Sequence, residues 1–175
     1  MPTSNSRAAA AKKRSEPRLK NYRSDASLSA IFEAIRLTLA SHKAKRISFD
    51  YDDAGQATSI QFVLEVHGTA LTFRLPARFE NVERLVAESN RSAGRSQKGD
   101  ALRDQAMRTT WANIRDWLSA QMALIDAGMV QTEEVFLPYL LNEAGQTYFE
   151  VFQERLALPA PRAGSDHRVT VSEGP

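Results

Sequence analysis

Asp50, Asp52 and Asp53 form the acidic cluster of this chain whose spacing could serve a divalent cation or general acid-base chemistry. In an extended strand Asp50 and Asp52 share a face about 7 Å apart. Asp53 opens a turn, where an aspartate bonds to nearby backbone. A cation needs further oxygen ligands, and none stands at a recognisable spacing. A solvated strand face followed by a turn is therefore the expectation, with no metal site. The three histidines, His42, His67 and His167, include no pair at the helical i, i+4 spacing of a metal site and have no serine or cysteine partner close by in sequence. Glu133 and Glu134 suit the first turn of a helix, where acid complements the dipole. The eight glycines are scattered, and Gly94 and Gly99 follow no strand, so no loop is arranged to cradle a phosphate. Zero cysteines exclude disulfides, thiolate catalysis and sulfur-ligated zinc. The expectation is a protein with no catalytic residue and no cofactor.

Binding chemistry is better represented. The net charge of +2 conceals an asymmetry: residues 1–23 hold seven basic side chains against Glu16 alone, a net +6, which leaves −4 for residues 24–175. A cationic arm of this kind is attracted to phosphate backbones without reading sequence. Lys12, Lys13, Arg14, Arg18 and Lys20 of the arm are candidate contacts to DNA or RNA. So are Arg91, Arg95 and Lys98 in the glycine-containing stretch SNRSAGRSQKG, and Arg108 and Arg115, seven residues apart on a long helix where Asp104 and Asp116 accompany them. Trp111 reads as core. Trp117, Met122, Phe136 and Tyr139 read as core or as a partner-facing patch, aromatics and methionine being enriched in interfaces. Residues 100–155 contain more apolar positions than one thin layer requires, so a homodimer through this region is a further expectation.

The elements that must hold these residues follow from periodicity. Residues 1–24 hold almost no large apolar side chains and form a basic arm expected to be disordered, with structure beginning after Asp25. Asp25 or Ser27 caps a helix whose stripe is Leu28, Ile31, Phe32, Ile35 and Leu39. From Lys45 the period becomes two: Ile47, Phe49 and Tyr51, then Ile60, Phe62, Leu64 and Val66, then Leu71, Phe73 and Leu75 mark three strands. A four-residue loop at 53–56 and a two-residue loop at His67-Gly68 set Phe49 opposite Ile60, Ile47 opposite Phe62, Ile60 opposite Leu75, Phe62 opposite Phe73 and Leu64 opposite Leu71, all on one face. A second helix runs from Phe79 to about Asn90. The fold expected is α+β, a three-stranded antiparallel meander flanked by helices (α-β-β-β-α) at 25–90, a basic linker at 91–99, and a helical region at 100–156 packing on the sheet. Within that region Asp100 caps one long helix, Gly128 ends it, Thr132 caps a second, and Pro138 interrupts the second. Tyr148 to Phe152 begins a last short helix or strand. Residues 157–175 form a polar tail. No apolar run approaches a bilayer span and no signal segment is visible, so no membrane association and a cytoplasmic location are expected.

The α-β-β-β-α order is that of double-stranded-RNA-binding domains, a resemblance of topology alone, since Glu80 and Glu83 stand where that family places cations. A closer likeness lies in Trp111 and Trp117, Ala120-Gln121, the run Ala123–Gly128 with Met129, and Phe136-Leu137-Pro138-Tyr139, together with Phe73-Arg74-Leu75-Pro76 and Gly145–Glu150. In these the chain resembles a group of small phage- and prophage-encoded proteins to which no activity is attached. The resemblance spans about residues 26–154. It implies a viral or prophage setting, in the host cytoplasm, and supplies no catalytic residue. The expected function is a non-enzymatic accessory protein bound to nucleic acid through arm and linker. The alternative is a protein-binding module that inhibits or redirects a host factor such as a defence system.

Overall fold

Alternation of apolar and polar side chains dictates a sheet with one buried face, and the computed structural model, which describes residues 19–22, 24–92, 94 and 99–157, contains it. The order of elements is α1 (Leu28–Ser41), β1 (Lys45–Tyr51), β2 (Ala57–Val66), β3 (Thr69–Pro76), α2 (Phe79–Ser92), α3 (Asp100–Asp126), α4 (Thr132–Phe136), a 3-10 turn (Leu137–Tyr139) and α5 (Tyr148–Ala157). The three strands pair antiparallel in sequence order. Ile60 faces Leu75, Phe62 faces Phe73 and Leu64 faces Leu71, as turn length requires. His67 and Gly68 both take positive φ, 50° and 79°, the backbone of a two-residue turn that matches strand twist.

The outer strand departs from ideal alternation. Phe49 faces Ile60 as expected, but Ile47 does not pair regularly with Phe62, because the register shifts between Lys45 and Ser48, where Arg46 takes φ 52°. A second shift between Asp50 and Tyr51 leaves Tyr51, expected on the buried face, exposed. Bulges of this kind bend and twist an edge strand and make it a poor template for another chain.

The opposite edge, that of β3, is covered by the chain itself. Leu141 N–H donates to the Thr72 carbonyl at 2.9 Å, Phe73 and Leu140 form an antiparallel bridge, and Leu141 bridges back to Thr147 across the Asn142–Gly145 turn. Thr147 then starts α5 with a reciprocal cap: its Oγ1 accepts from Glu150 N–H at 3.2 Å, and its own N–H donates to the Glu150 carboxylate at 2.7 Å. The segment from Tyr148, open between helix and strand on periodicity, is thereby a helix.

Helices α1 and α3 cover the apolar sheet face, and α2 packs against α3. Ser27 caps α1 by accepting from Ala30 N–H. The long helix begins after Gly99 without a side-chain cap, so Asp100 is its first residue rather than its cap. It ends as expected at Gly128 (φ 67°), where Gly128 N–H donates to Ile125 and Met129 N–H to Leu124, the double bond of a left-handed terminus. Gln131, not Thr132, caps α4, in a reciprocal pair with Glu134. Among the described residues no helix is long and apolar enough to cross a membrane.

Two of the four expected interface residues belong to the core. Phe136 is 0% exposed and stands edge-on to Phe62 and Trp117, while Met122 is 2% exposed. Helix α4 gives way directly after Phe136 to the 3-10 turn that contains Pro138, and the Phe136 ring packs against Phe62 and Phe73 of the sheet. Phe136→Ala should therefore lower stability by about 3–5 kcal/mol in urea unfolding. Leu137→Ala, next door and half exposed, should stay within about 0.5 kcal/mol of wild type.

Candidate functional site

The acidic cluster resolves into structural bonds. The Asp50 carboxylate accepts from Ser59 Oγ and from Gln61 Nε2, the latter at 2.9 and 3.1 Å, and so ties β1 to β2 on the polar sheet face. Asp52 Oδ1 accepts from Ala54 and Gln56 N–H at 3.0 and 2.8 Å and shapes the hairpin turn. Asp53 is exposed. Among the described residues no three acidic or histidine side chains converge as a metal site. His42 Nε2 meets Asp126 at 2.9 Å and His67 Nε2 meets Glu133 at 2.6 Å, each joining two parts of the fold.

Lys12, Lys13, Arg14, Arg18, Arg95 and Lys98 lie outside the described residues. Arg91 is exposed in the last turn of α2, and Arg108 is half-buried on α3. Lys20 and Arg115 do come together, but on a carboxylate: Lys20 Nζ lies 2.9 Å and Arg115 Nη2 2.7 Å from Asp116.

That carboxylate anchors the end of the arm. Residues expected to be disordered form a turn at Leu19–Tyr22, in which Asn21 takes φ 61° and donates from Nδ2 to Asp116 at 3.0 Å and to Asn113 Oδ1 at 3.2 Å. Asn113 Nδ2 in turn donates to the Lys20 carbonyl at 2.9 Å. The Tyr22 ring is 3% exposed, and its hydroxyl donates to Asn90 Oδ1. Asn90 Nδ2 donates to Gln105 Oε1, and Gln105 Nε2 returns to the Tyr22 carbonyl. This closed ring of polar groups staples the arm's root into the α2–α3 groove. The lone Tyr22, separated from any periodic segment, was the sequence signal for it.

Beside this root lies a cleft of about 390 Å³. Its walls come from every element that the edge closure brings together: Leu75 and Pro76 from the end of β3, Arg78 just beyond, Asn113, Ile114 and Trp117 from α3, Pro138 and Tyr139 from the 3-10 turn, and Phe149 from α5. Trp117 stands edge-on to both Phe136 and Tyr139 at 5.8 and 5.7 Å between ring centres, and Phe136 is rigidly buried. The Arg78 guanidinium lies 5.3 Å over the Phe149 ring, an attraction between cation and ring face. Trp117 and Tyr139 are thus brought together as a half-buried pair, with Phe136 against Trp117, while Met122 belongs to the buried core. Phe149 and Arg78 escaped sequence reasoning because nothing in local spacing says that α5 returns to the end of β3.

Along α5, Phe149, Phe152 and Leu156 follow at i, i+3 and i+7, one helical face, and Phe152 and Leu156 are exposed by 58% and 69%. The cleft therefore continues into an apolar stripe. A volume of a few hundred Å³ with aromatic walls and few polar groups is the usual form of a binding pocket.

Burial pushes the Asp116 pKa upward, but hydrogen bonds from Asn21, Lys20 and Arg115 outweigh it and bring the group down to about 2. A carboxylate whose pKa falls on folding stabilises the fold above its unfolded value of 3.8 and loses that contribution as pH falls toward 2. Asp116→Asn should therefore lower the melting temperature at neutral pH, with the gap to wild type closing between pH 3.8 and about 2. Equal gaps at both ends of that range would remove the ionised carboxylate from its role. No protein-family model, curated protein or solved structure matches the chain.

Proposed function

We propose that this protein is a non-enzymatic protein-binding module, acting in the phage or prophage setting that its sequence resemblance implies, and that its cleft receives a large apolar side chain of a partner. The observation that carries this is the cleft itself. Trp117 and Tyr139, with Arg78 and Phe149, are half-buried or rim groups held by a rigid core, and tryptophan, tyrosine and arginine dominate the energetics of protein interfaces when seated around a pocket. The apolar face of α5 extends the contact area beyond the cleft, as an interface core with a polar rim requires. The engagement of Lys20 and Arg115 by Asp116 weighs against a nucleic-acid surface at that part of the folded body.

Panning the full chain against a displayed random dodecapeptide library tests the reading while the partner is unidentified. Enriched peptides should share a large apolar or aromatic residue. Trp117→Ala and Tyr139→Ala should each weaken them by about 2 kcal/mol or more, measured by fluorescence anisotropy, with unchanged circular dichroism. Leu37→Ala, on an exposed part of α1, serves as the neutral control. Absence of enrichment, or peptides that bind the Trp117 and Tyr139 variants undiminished, would contradict the proposal.

A further inference from the structure

We infer that, in the protein alone, the cleft is filled by a second copy of this chain: in a two-fold dimer each copy seats its Phe152 ring in the other's cleft, with Tyr148 and Leu156 closing over the rim. The inference rests on the reading of the cleft as a partner site and names one partner that occupies it.

The stripe on α5 is the first ground. Tyr148, Phe149, Phe152 and Leu156 fall within an arc of about 100° around the helix, the width of a face that packs on a core. Among the described residues only the Phe149 end of this stripe is covered, by the cleft walls and the Arg78 guanidinium. Tyr148, Phe152 and Leu156 are each half exposed or more, and every residue from Phe152 to Ala157 is exposed. A helix of ten residues is marginal without packing of its apolar face. Within the described residues of one copy, the C-terminal half of α5 lacks that contact.

The second ground is that knob and hole stand side by side. Phe149 lines the cleft, and Phe152 follows one turn further along the same face, exposed and outside the cleft of its own chain. A surface carrying both halves of a contact is self-complementary about a two-fold axis, each copy giving a ring and receiving one. The cleft of about 390 Å³, walled by Trp117, Pro138 and Tyr139, has room for a phenyl ring and offers it aromatic edges and faces.

Charge and area agree with this. Arg78, Arg155 and Glu154 are exposed and Glu150 is paired with Arg74, so the surface carries both signs and can face its own copy without the repulsion of a single-signed patch. The exposed parts of Tyr148, Phe152 and Leu156 offer roughly 350 Å² per copy. With the walls they cover, a pair buries on the order of 1,000 Å², the lower end of specific interfaces. That suits a dimer that forms and dissociates with concentration and gives up the cleft to a tighter partner.

Sedimentation velocity on the full chain, from low to high micromolar concentration, tests the inference. The wild type should pass from monomer to dimer across that range. Phe152→Asp should stay monomeric throughout, with thermal unfolding matching that of the wild-type monomer, and Trp117→Ala should raise the dissociation constant roughly tenfold or more. Peptides enriched by panning should dissociate the dimer as they bind, since both need the cleft. A dimer that survives either substitution, or that binds peptide without dissociating, would place the self-contact elsewhere and overturn the inference. A chain that is monomeric at every concentration yet binds panned peptides would overturn it while leaving the cleft to a foreign partner. A dimer broken by both substitutions, with no peptide enriched, would sustain it and remove the foreign partner. Monomer alone with no peptide enriched would overturn both.

Discussion

A three-stranded sheet with one apolar face must bury that face, and here the burial turns on Trp111. Its indole is fully enclosed where α1, β1 and α3 meet, with Phe32 and Phe49 at 5.0 and 5.5 Å between ring centres, both near edge-to-face. Among the described residues the indole N–H has no hydrogen-bond partner, and an unpaired buried donor costs about 1–3 kcal/mol. Burying roughly 200 Å² of ring returns about 5 kcal/mol, so packing outweighs the unpaired donor. The position of α3 is set by this contact, and with it the positions of Asn113, Asp116 and Trp117 within the next two turns.

From that fixed helix the remaining parts follow by covering what the sheet leaves open. Capping of the β3 edge by Leu140 and Leu141 removes exposed backbone groups and returns the chain through a tight turn to start α5 beside Pro76 and Arg78. The cleft is the space left between a helix fixed by Trp111 and a helix delivered by the edge closure. Behind its Trp117 wall stands Phe136, which contacts Phe62 and Phe73 on the sheet and Trp117 on α3. Rigid support behind half-exposed aromatics lowers the entropy lost when a ligand is seated against them.

The α+β architecture was legible because the strands and helices obey local periods. The hairpin registers followed from turn lengths, and Gly128 was identifiable as a left-handed terminus. What local reasoning missed was nonlocal or irregular. The bulge at Arg46 displaced Ile47 from its pairing with Phe62, since no composition rule forces an extra residue there. Helix α5 had a signature, Thr147-x-x-Glu150, which reads as a reciprocal cap once noticed. Tyr22 in a basic arm gave no sign of its partners, because Asn90 and Gln105 are more than 60 residues away. Of the cleft residues, Trp117 and Tyr139 were nameable from type. Phe136 and Met122 could not be separated from them, because which of these side chains is fully buried depends on tertiary packing.

The two tryptophans give the cleft its most direct test, since one reports on the core and the other on the site. In protein labelled with fluorotryptophan, a peptide enriched by panning should shift the fluorine resonance of Trp117 progressively while leaving that of Trp111 unchanged. Movement of the Trp111 signal alone, or of neither signal during saturable binding, would place the interaction elsewhere and contradict the assignment of the cleft as the binding site.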